Sequence, residues 1–185
     1  RRRTIAVNLI GHQVMFGRDD PRGVLYAVPY LLRRDAGLPP FKRVLVIGAG
    51  SGNDVSRALA FGASEVDAVE IDPVIRRLGA RDHPDRPYDD PRVSVHIGDG
   101  RNFLRSTDRT YDLIVYACID SLVLHSGYAN LRLESFLFTA EAIADVRRHL
   151  APGGVFVVTN YFRKGWLVGR LSRTITDAFG AEPLA

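Results

Sequence analysis

The sequence predicts an α/β fold built on a doubly wound parallel sheet, and three observations support this. From Phe41 onward, short apolar runs of strand length alternate with segments of helical spacing, an order that places parallel strands in one sheet with right-handed crossovers. A glycine-rich turn, Gly48–Gly52, directly follows the first of these runs, and an acid, Glu70, closes the second. Together these features indicate a Rossmann-like domain with a nucleoside site.

The composition is that of an ordinary globular protein with one core. The chain has 185 residues, of which 46% are hydrophobic and 25% are charged, as in many single folded domains. The net charge of +4 comes from scattered arginines, so we predict no nucleic-acid partner. The single cysteine, Cys118, allows no intrachain disulfide and suits a reducing compartment. No apolar run reaches the ~20 residues of a membrane span, and no signal peptide is visible. We therefore expect a cytoplasmic location, or the cytoplasmic face of a membrane if the chain is part of a longer one.

The first 40 residues predict a lead-in to the main domain. Two short strands are expected within Thr4–Phe16, on either side of Gly11, because apolar residues there flank a turn residue. Apolar residues at helical spacing predict a helix over Gly23–Arg34, and a segment with glycine and two prolines then breaks the pattern. We therefore divide the chain into a β-hairpin and helix lead-in over 1–40 and a Rossmann-like domain over 41–185.

Strands and helices alternate through the main domain. Compact apolar runs predict buried parallel strands, while prolines and glycines mark where helices start and stop. We expect Trp166 to pack against the sheet. Folds of this kind often close with an antiparallel hairpin, so we expect the domain to continue beyond residue 185. The predicted strands are Arg43–Ile47, Val66–Ile71, Val93–Ile97, Tyr111–Ala117 and Val155–Thr159, and the predicted helices are Asn53–Phe61, Pro73–Ala80, Arg101–Arg105, Glu134–Leu150 and Gly165–Phe179.

The strongest functional signal is the glycine-rich turn together with the acid on the next strand. Gly48, Gly50 and Gly52 lie between a predicted strand and a predicted helix. Glycine allows positive φ angles and lets a ligand approach the backbone, and the helix N-terminus offers free N–H groups and partial positive charge. A carboxylate at the position of Glu70 can accept both ribose hydroxyls of a nucleoside. The alternatives are a tight turn without a ligand and a solvated acid at a strand end.

Two further acids follow predicted strands. Asp99 stands where a carboxylate can accept a hydrogen bond from an adenine amino group, or where it caps the next helix. Asp120 follows the fourth strand, which with the first strand flanks the expected ligand crevice, so it is a candidate base or amine ligand; the alternative is an ordinary loop acid. His125 and Tyr128 lie in a loop that either covers this site or faces solvent. The histidines lack ligand spacing, so no metal site is predicted.

Several short strings carry a resemblance to a known family. They are Gly11–Gln13, Leu25–Tyr26, the Gly48 turn, Val69–Pro73, Asp89–Val93, Gly98–Gly100, Tyr111–Val115 and Leu150–Val155. On these strings the chain resembles the spermidine synthase (polyamine aminopropyltransferase) family, from about residue 10 to residue 158. The resemblance implies a class I methyltransferase fold. It is greatest to a divergent, spermidine-synthase-like branch, whose members often carry this domain on a membrane-spanning region.

The resemblance implies a role for each candidate residue. Gln13 and Tyr26 fall where the family lines its cofactor and substrate site. Glu70 matches the acid that binds ribose, and Asp99 matches the acid that recognises adenine. Asp120 matches the second acid of an Asp-x-x-Asp motif that helps to hold the polyamine, and we predict it as the catalytic residue. The predicted cofactor-binding residues are Gln13, Tyr26, Gly48, Gly50, Ser51, Gly52, Glu70 and Asp99.

The chain departs from the family at two positions that matter chemically. The first acid of the motif, the base that deprotonates the attacking amine, falls on Ala117, although an ammonium must lose a proton before it can attack. The family's glycine loop also carries an aspartate that binds the amino group of the aminopropyl arm, and Ser51 stands there instead. A missing carboxylate weakens selection for a cationic arm. The sequence thus retains the cofactor half of the site and alters the acceptor half, which argues against ordinary spermidine synthesis.

Three functions follow as hypotheses. The first is a transferase that binds S-adenosylmethionine or its decarboxylated form and moves a methyl or aminopropyl group to a polyamine or another small amine. The second is a regulatory domain that binds the nucleoside without catalysis. The third is a nicotinamide-dependent oxidoreductase. Because the chain resembles the spermidine synthases, we also expect a homodimer. Because it resembles the divergent branch most, we expect that other segments could attach it to a membrane.

Overall fold

The structure, a computed structural model, describes residues 3–7, 10–118, 133–160 and 165–184. Its centre is a five-stranded parallel sheet covered by helices on both faces, and a separate two-stranded antiparallel sheet precedes it. The predicted α/β class and the N-terminal hairpin are therefore confirmed. The division of the chain at residue 40 stays a prediction.

The lead-in consists of a hairpin, a 3-10 helix and a short α-helix. Strand β1 (Arg3–Val7) pairs with β2 (Ile10–Met15). Gly11 pairs with Ala6 inside β2, so the expectation that the two strands flank Gly11 was wrong.

The single helix predicted over 23–34 was also wrong, because the structure has a 3-10 helix at Pro21–Ala27 followed by α1 (Val28–Asp35). Pro29 stands in the first turn of α1. A proline has no N–H and clashes with the carbonyl four residues before it, so a regular α-helix starts here instead of running through.

The strands and helices of the main domain follow the predicted order. Each of the long apolar runs became a strand of the central sheet, with β3, β5 and β6 at the predicted bounds. The remaining elements, in chain order, are β3 (Arg43–Ile47), α2 (Asn53–Ala60), β4 (Glu65–Glu70), α3 (Pro73–Asp82), a 3-10 turn (Pro87–Asp89), β5 (Val93–Ile97), α4 (Gly100–Ser106), β6 (Tyr111–Ala117), a 3-10 helix (Leu133–Phe138), α5 (Ala140–Arg148), β7 (Leu150–Thr159) and α6 (Gly165–Phe179).

The strand order is β5-β4-β3-β6-β7, with every pair parallel. Chain order therefore reverses between β3 and β6, as predicted for the first and fourth strands of the main domain. Ile47, the last residue of β3, pairs with Val69 of β4 and Tyr116 of β6. In open sheets of this type the ligand crevice opens at the carboxyl ends of the strands on either side of such a reversal.

Two apolar cores hold helices against the two faces of the sheet. Val44 and Val46 point into the core that includes residues of α1 and α2, while Leu45 and Ile47 point into the core that includes residues of α4 and α5. All four side chains are at most 2% exposed, and burying each aliphatic side chain stabilises the fold by roughly 1.5–3 kcal/mol. Because β3 is buried on both faces, its carboxyl end and the glycine turn after it are held firmly in place.

Helix α5 and strand β7 differ from the prediction. The helix expected over 134–150 is interrupted at Thr139, whose side chain accepts a hydrogen bond from the Ala142 N–H and so begins α5 as a new helix. Strand β7 starts at Leu150 and includes the Ala-Pro-Gly-Gly segment that was expected to be a helix stop. Gly153 has a φ of +74°, a conformation that suits glycine, and the register of β7 against β6 shifts nearby.

Helix α6 has the predicted bounds, but its tryptophan side chain does not lie where we expected it. Trp166 is 64% exposed, so the expectation that it packs against the sheet was wrong. It stands in the first turn of α6, whereas the residues of this helix that reach the core, such as Ile175 and Phe179, lie near the other end. None of the helices in the described ranges is both long and apolar enough to cross a membrane.

Candidate functional site

The glycine turn joins β3 to α2 in a backbone conformation that suits glycine. Gly48, Gly50 and Gly52 have φ angles of +80°, +55° and +101°, which side chains with a Cβ rarely adopt. The N–H groups of Gly48 and Ala49 both donate to the Val69 carbonyl, at 2.9 and 3.0 Å. The turn is therefore anchored to the end of the neighbouring strand β4, and α2 begins directly after it.

Glu70, the last residue of β4, braces this turn. Its Oε2 accepts a hydrogen bond from the Gly50 N–H at 2.7 Å, and its Oε1 accepts one from the Asp72 N–H at 2.8 Å. The side chain is only 6% exposed, so Glu70 is not the solvated acid that was one alternative. A carboxylate can accept about four hydrogen bonds, so capacity remains on each oxygen for a hydroxyl of a ligand.

Two more side chains bond the turn on the same side. Gln13 of β2 accepts a hydrogen bond from the Ser51 N–H at 2.8 Å, and a Cβ on Gly50 would come within 2.5 Å of its amide nitrogen. The Tyr88 hydroxyl donates to the Gly50 carbonyl at 2.7 Å, and burial raises the pKa of this phenol well above its usual value. The structure thus brings Gln13, Ser51, Gly50 and Glu70 together, and their contact with a cofactor stays a prediction. Tyr88 was missed.

Asp99 lies at the end of β5, the strand next to β4. Its carboxylate accepts a hydrogen bond from the Asn102 N–H at 2.9 Å and caps α4, as one alternative held. The Gly98 N–H donates to the Glu70 carbonyl at 3.0 Å, so the Asp99 loop is tied to the same edge of the sheet as the glycine turn. Capping uses one oxygen of Asp99; a contact with adenine stays a prediction.

The remaining candidates are placed less directly. Tyr26 is partly buried, and its ring centroid lies 6.2 Å from that of Phe16, whose N–H donates to Asn53 at the start of α2. Through Phe16, Tyr26 is thus connected to the start of α2, and its contact with a cofactor stays a prediction. Cys118 follows β6 with a φ of +43°. The predicted residues Asp120, His125 and Tyr128 lie outside the described residues.

The two positions that depart from the family are both buried at this edge. Ala117 ends β6 and is 6% exposed. Ser51 is 1% exposed, and its Oγ has no hydrogen-bond partner among the described residues. Within those residues there is also no cluster of histidine, cysteine, aspartate or glutamate able to hold a metal ion.

One buried acid near the turn was not predicted. Asp54, in the first turn of α2, is 8% exposed. Burial raises its pKa from 3.8 to about 7, against the opposing effect of a hydrogen bond from its own backbone N–H. His83 is buried nearby, at the end of α3, with its Nε2 3.2 Å from Asn53 Oδ1 and its Nδ1 accepting from the Asp85 N–H. Burial lowers the pKa of His83 from 6.5 to about 4.

The sheet order and the braced glycine turn define a class: a Rossmann-like domain with the class I methyltransferase fold. Comparison of the chain with a family model then gives the family. Residues 36–179 match the spermine/spermidine synthase domain, which is most of the chain, and the protein therefore belongs to the spermine/spermidine synthase family.

Individual relatives are similar over part of their length. A polyamine aminopropyltransferase of Klebsiella pneumoniae (strain 342) is 35% identical over 125 residues, which are 64% of this chain and 40% of that protein. One of Pectobacterium atrosepticum is 34% identical over the same shares. The chain thus aligns with less than half of the length of these relatives, which are transferases by name.

Solved structures show the same fold at lower sequence identity. A spermidine synthase in complex with the transition-state analogue AdoDATO matches with a TM-score of 0.70 and 22% identity, covering 95% of this chain and 57% of that one. Human methyltransferase-like protein 13 in complex with SAH matches with a TM-score of 0.64 and 20% identity, covering 86% and 72%. These likenesses confirm the fold.

Proposed function

We propose that this chain is a transferase domain that binds S-adenosylmethionine or decarboxylated S-adenosylmethionine and moves an aminopropyl or methyl group to a small amine. The observation that carries the proposal is the pairing of the glycine turn with Glu70, whose carboxylate is held at hydrogen-bond distance from Gly50. Family membership supports it, as do the polyamine aminopropyltransferase names of the relatives.

The cofactor half follows from the braced edge of the sheet. Gly48, Gly50 and Gly52 give the turn its positive-φ conformation, and the cofactor lies against this turn beside the N-terminus of α2. Glu70 accepts the ribose hydroxyls with its free lone pairs, and Asp99 accepts the adenine amino group. Gln13, Ser51 and Tyr26 complete the proposed cofactor-binding set.

The reaction asks little of the protein beyond alignment and proton removal. The carbon to be transferred is bonded to a positively charged sulfur, which is already an activated leaving group. The nucleophile is an amine, which must be held in line and must lose its proton. We assign Asp120 as a proton acceptor for this step, and we propose a polyamine or a similar small amine as the acceptor.

A second candidate function is a regulatory domain that binds the nucleoside without turnover. Ala117 and Ser51 favour it, because neither supplies a carboxylate where the family carries one. Turnover with any amine acceptor would separate the two functions, since only the transferase consumes the cofactor.

Calorimetric titration tests the cofactor site. The ligands are S-adenosylmethionine, its decarboxylated form and methylthioadenosine, each added to the wild type, to Glu70→Ala and to Glu65→Ala, which changes an exposed acid at the other end of the same strand. We expect micromolar binding that Glu70→Ala weakens at least about tenfold, or ~1.4 kcal/mol, and that Glu65→Ala leaves unchanged. Preference for the decarboxylated form would favour aminopropyl transfer, and preference for the intact form would favour methyl transfer. If none of the three ligands binds the wild type, the proposed function is wrong.

A further inference from the structure

Asn53, the first residue of α2, bonds the backbone at the end of β2 through both ends of its side-chain amide. Its Nδ2 donates to the Val14 carbonyl at 2.8 Å, and its Oδ1 accepts from the Phe16 N–H at 2.9 Å. These two bonds lie on either side of one residue, as do the bonds that a residue of a parallel strand makes to its neighbour. Asn53 is 6% exposed, so this pairing takes place inside the protein.

His83 fixes which way the amide of Asn53 points. The His83 ring is neutral at neutral pH, because burial lowers its pKa to about 4. Its Nδ1 accepts from the Asp85 N–H at 3.1 Å, so the proton of the neutral ring is on Nε2. That Nε2 lies 3.2 Å from Asn53 Oδ1 and donates to it. The amide oxygen therefore meets two donors, and the amide nitrogen is left to meet the Val14 carbonyl.

Gln13 directly precedes the residue that Asn53 holds. Its Oε1 accepts from the Ser51 N–H at 2.8 Å, and a Cβ on Gly50 would come within 2.5 Å of its Nε2. Successive side chains of a strand point to opposite faces, so a slip of β2 by one residue would turn Gln13 away from the glycine turn and bring Val14 towards it. The contact between Gln13 and the turn therefore depends on the register of β2.

The other contacts of the lead-in do not set this register. Met15 of β2 packs against Ile75 of α3, but apolar contact is not directional. Arg57, one turn further along α2, bonds the carbonyls of Gly17 and Asp20 at 3.1 and 3.2 Å, and these residues lie beyond the strand. The directional bonds from α2 to the end of β2 are those of the amide at the start of the helix.

We propose that Asn53, oriented by His83, is a positioning residue that holds β2 in the register that keeps Gln13 on the glycine turn. In the proposed transferase the cofactor lies against this turn, so Asn53 acts on cofactor binding through Gln13 and does not touch the cofactor. The effect on the cofactor rests on the proposed function. The link between Asn53 and the turn does not, and it can be measured without a ligand.

Hydrogen exchange of single amides, followed by NMR, measures this link. The Ser51 N–H donates to Gln13, whereas the Ala49 N–H of the same turn donates to the Val69 carbonyl at 3.0 Å. We expect Asn53→Ala to raise the ratio of the exchange rate at Ser51 to that at Ala49 at least about fivefold, the effect of one weakened hydrogen bond. A variant that is only less stable would speed exchange at both amides and leave the ratio unchanged.

A double-mutant cycle on methylthioadenosine binding measures the effect on the proposed cofactor site. Its variants are Gln13→Ala, Asn53→Ala and the two together. We expect each single change to weaken binding at least about fivefold. The double variant should bind within about twofold of Gln13→Ala, because Asn53 acts through Gln13. The matched control is Ser56→Ala, which removes a buried hydrogen bond from α2 to Asp85 and should leave binding unchanged.

Asn53→Asp has the same shape as the wild type and decides the question if Asn53→Ala does not fold. It keeps an acceptor for the Phe16 N–H and loses the donor to the Val14 carbonyl. We therefore expect the exchange ratio of Ser51 to Ala49 to rise in this variant too, and methylthioadenosine binding to weaken.

Three results would overturn the proposal. One is an exchange ratio of Ser51 to Ala49 that the changes at Asn53 leave as in the wild type. Another is a double variant in which the two losses of binding multiply. The third is Gln13→Ala binding methylthioadenosine as tightly as the wild type does. If the wild type does not bind methylthioadenosine but the exchange ratio still rises in Asn53→Ala, the proposed function is wrong and Asn53 still positions Gln13, so the two failures are distinguishable.

Discussion

The two sides of the glycine turn differ in how their buried polar groups are satisfied. On the β4 side, the Gly50 N–H, the Gly50 carbonyl and the Ser51 N–H are bonded to Glu70, Tyr88 and Gln13. Other buried polar groups in and near the turn and α2 are less well satisfied: the hydroxyls of Ser51 in the turn and of Tyr30 on α1 have no partner among the described residues, and Asp54 of α2 accepts a hydrogen bond from its own N–H.

The difference shows which half of the site is complete without a ligand. The bonded side fixes the shape of the turn in advance, which reduces the ordering that a bound nucleoside would otherwise require. The hydroxyls of Ser51 and Tyr30 are buried without a partner among the described residues, which costs roughly 1–3 kcal/mol each. A ligand with a hydrogen-bonding group within reach of either hydroxyl would recover that cost. The β4 side of the turn is therefore the side whose shape is fixed before any ligand binds.

The largest expected effect comes from Asp54 and concerns stability. Its pKa is raised from 3.8 to about 7 in the folded state. The stability that goes with its protonated form is therefore present below pH 3.8 and is lost as the pH rises toward 7. Asp54→Asn removes the buried charge, so we expect this variant to be more stable than the wild type at pH 8, and the gain to shrink by roughly 2–3 kcal/mol at pH 5. Urea unfolding at both pH values measures this, and an equal gain at both would show that Asp54 titrates normally.

His83 provides the matching change of opposite sign. Its pKa is lowered from 6.5 to about 4, so the stability of its neutral form is present above pH 6.5 and is lost as the pH falls toward 4. On acidification the wild type therefore loses the stability that comes from neutral His83, whereas it gains stability from the protonation of Asp54. We expect His83→Gln to become more stable relative to the wild type from pH 8 to pH 5, by about 2 kcal/mol. The free energy of unfolding of the double variant, His83→Gln with Asp54→Asn, should contain neither of these two pH-dependent contributions. If His83→Gln shows no pH dependence against the wild type, this histidine titrates normally in the fold.

The sheet could be predicted from the sequence because β3, β5 and β6 are compact apolar runs whose bounds follow from composition. Two of the predicted helices could not. The segment over 23–34 changes helix type at Pro29, and the one over 134–150 restarts at Thr139. In both cases the prediction followed the apolar periodicity, whereas a proline or a capping side chain sets where the helix begins.

The candidate site also has a part that could be predicted from the sequence and a part that could not. The glycine turn and Glu70 could be predicted to meet, because parallel strands end at one edge of the sheet. Asp54 could not, since an acid in the first turn of a helix is usually an exposed residue that favours the helix dipole. In the structure it is 8% exposed and interacts with Tyr30 of α1 and Tyr88 of the 3-10 turn, which are distant from it in the sequence. Tyr88 was missed for the same reason: it follows a proline-rich loop, and nothing in that loop shows that its hydroxyl reaches Gly50.

A third prediction tests how firmly the bonded side of the turn is held. Gly79 of α3 packs against the glycine turn, and a Cβ there would lie 2.6 Å from the Ser51 carbonyl oxygen. Gly79→Ala must move backbone, so we expect it to cost about 1–3 kcal/mol of stability and to weaken methylthioadenosine binding. The control is Gly169→Ala on α6, where a Cβ meets nothing within 4 Å, and which should gain about 0.5–1 kcal/mol from helix propensity. Stabilisation by both changes would show that α3 and the turn are free to separate.

The smallest expected effects come from two tyrosines that sharpen the comparison directly. Tyr88 and Tyr30 are similarly buried, at 7% and 5% exposed, but only Tyr88 donates a hydrogen bond, to the Gly50 carbonyl. Tyr88→Phe leaves that carbonyl unpaired and should cost about 1 kcal/mol. Tyr30→Phe removes a hydroxyl with no described partner and should be neutral or slightly stabilising. Thermal unfolding of the two variants measures both effects. Equal losses would mean that the Tyr30 hydroxyl is already paired, and that the α2 side of the turn is as complete without a ligand as the β4 side.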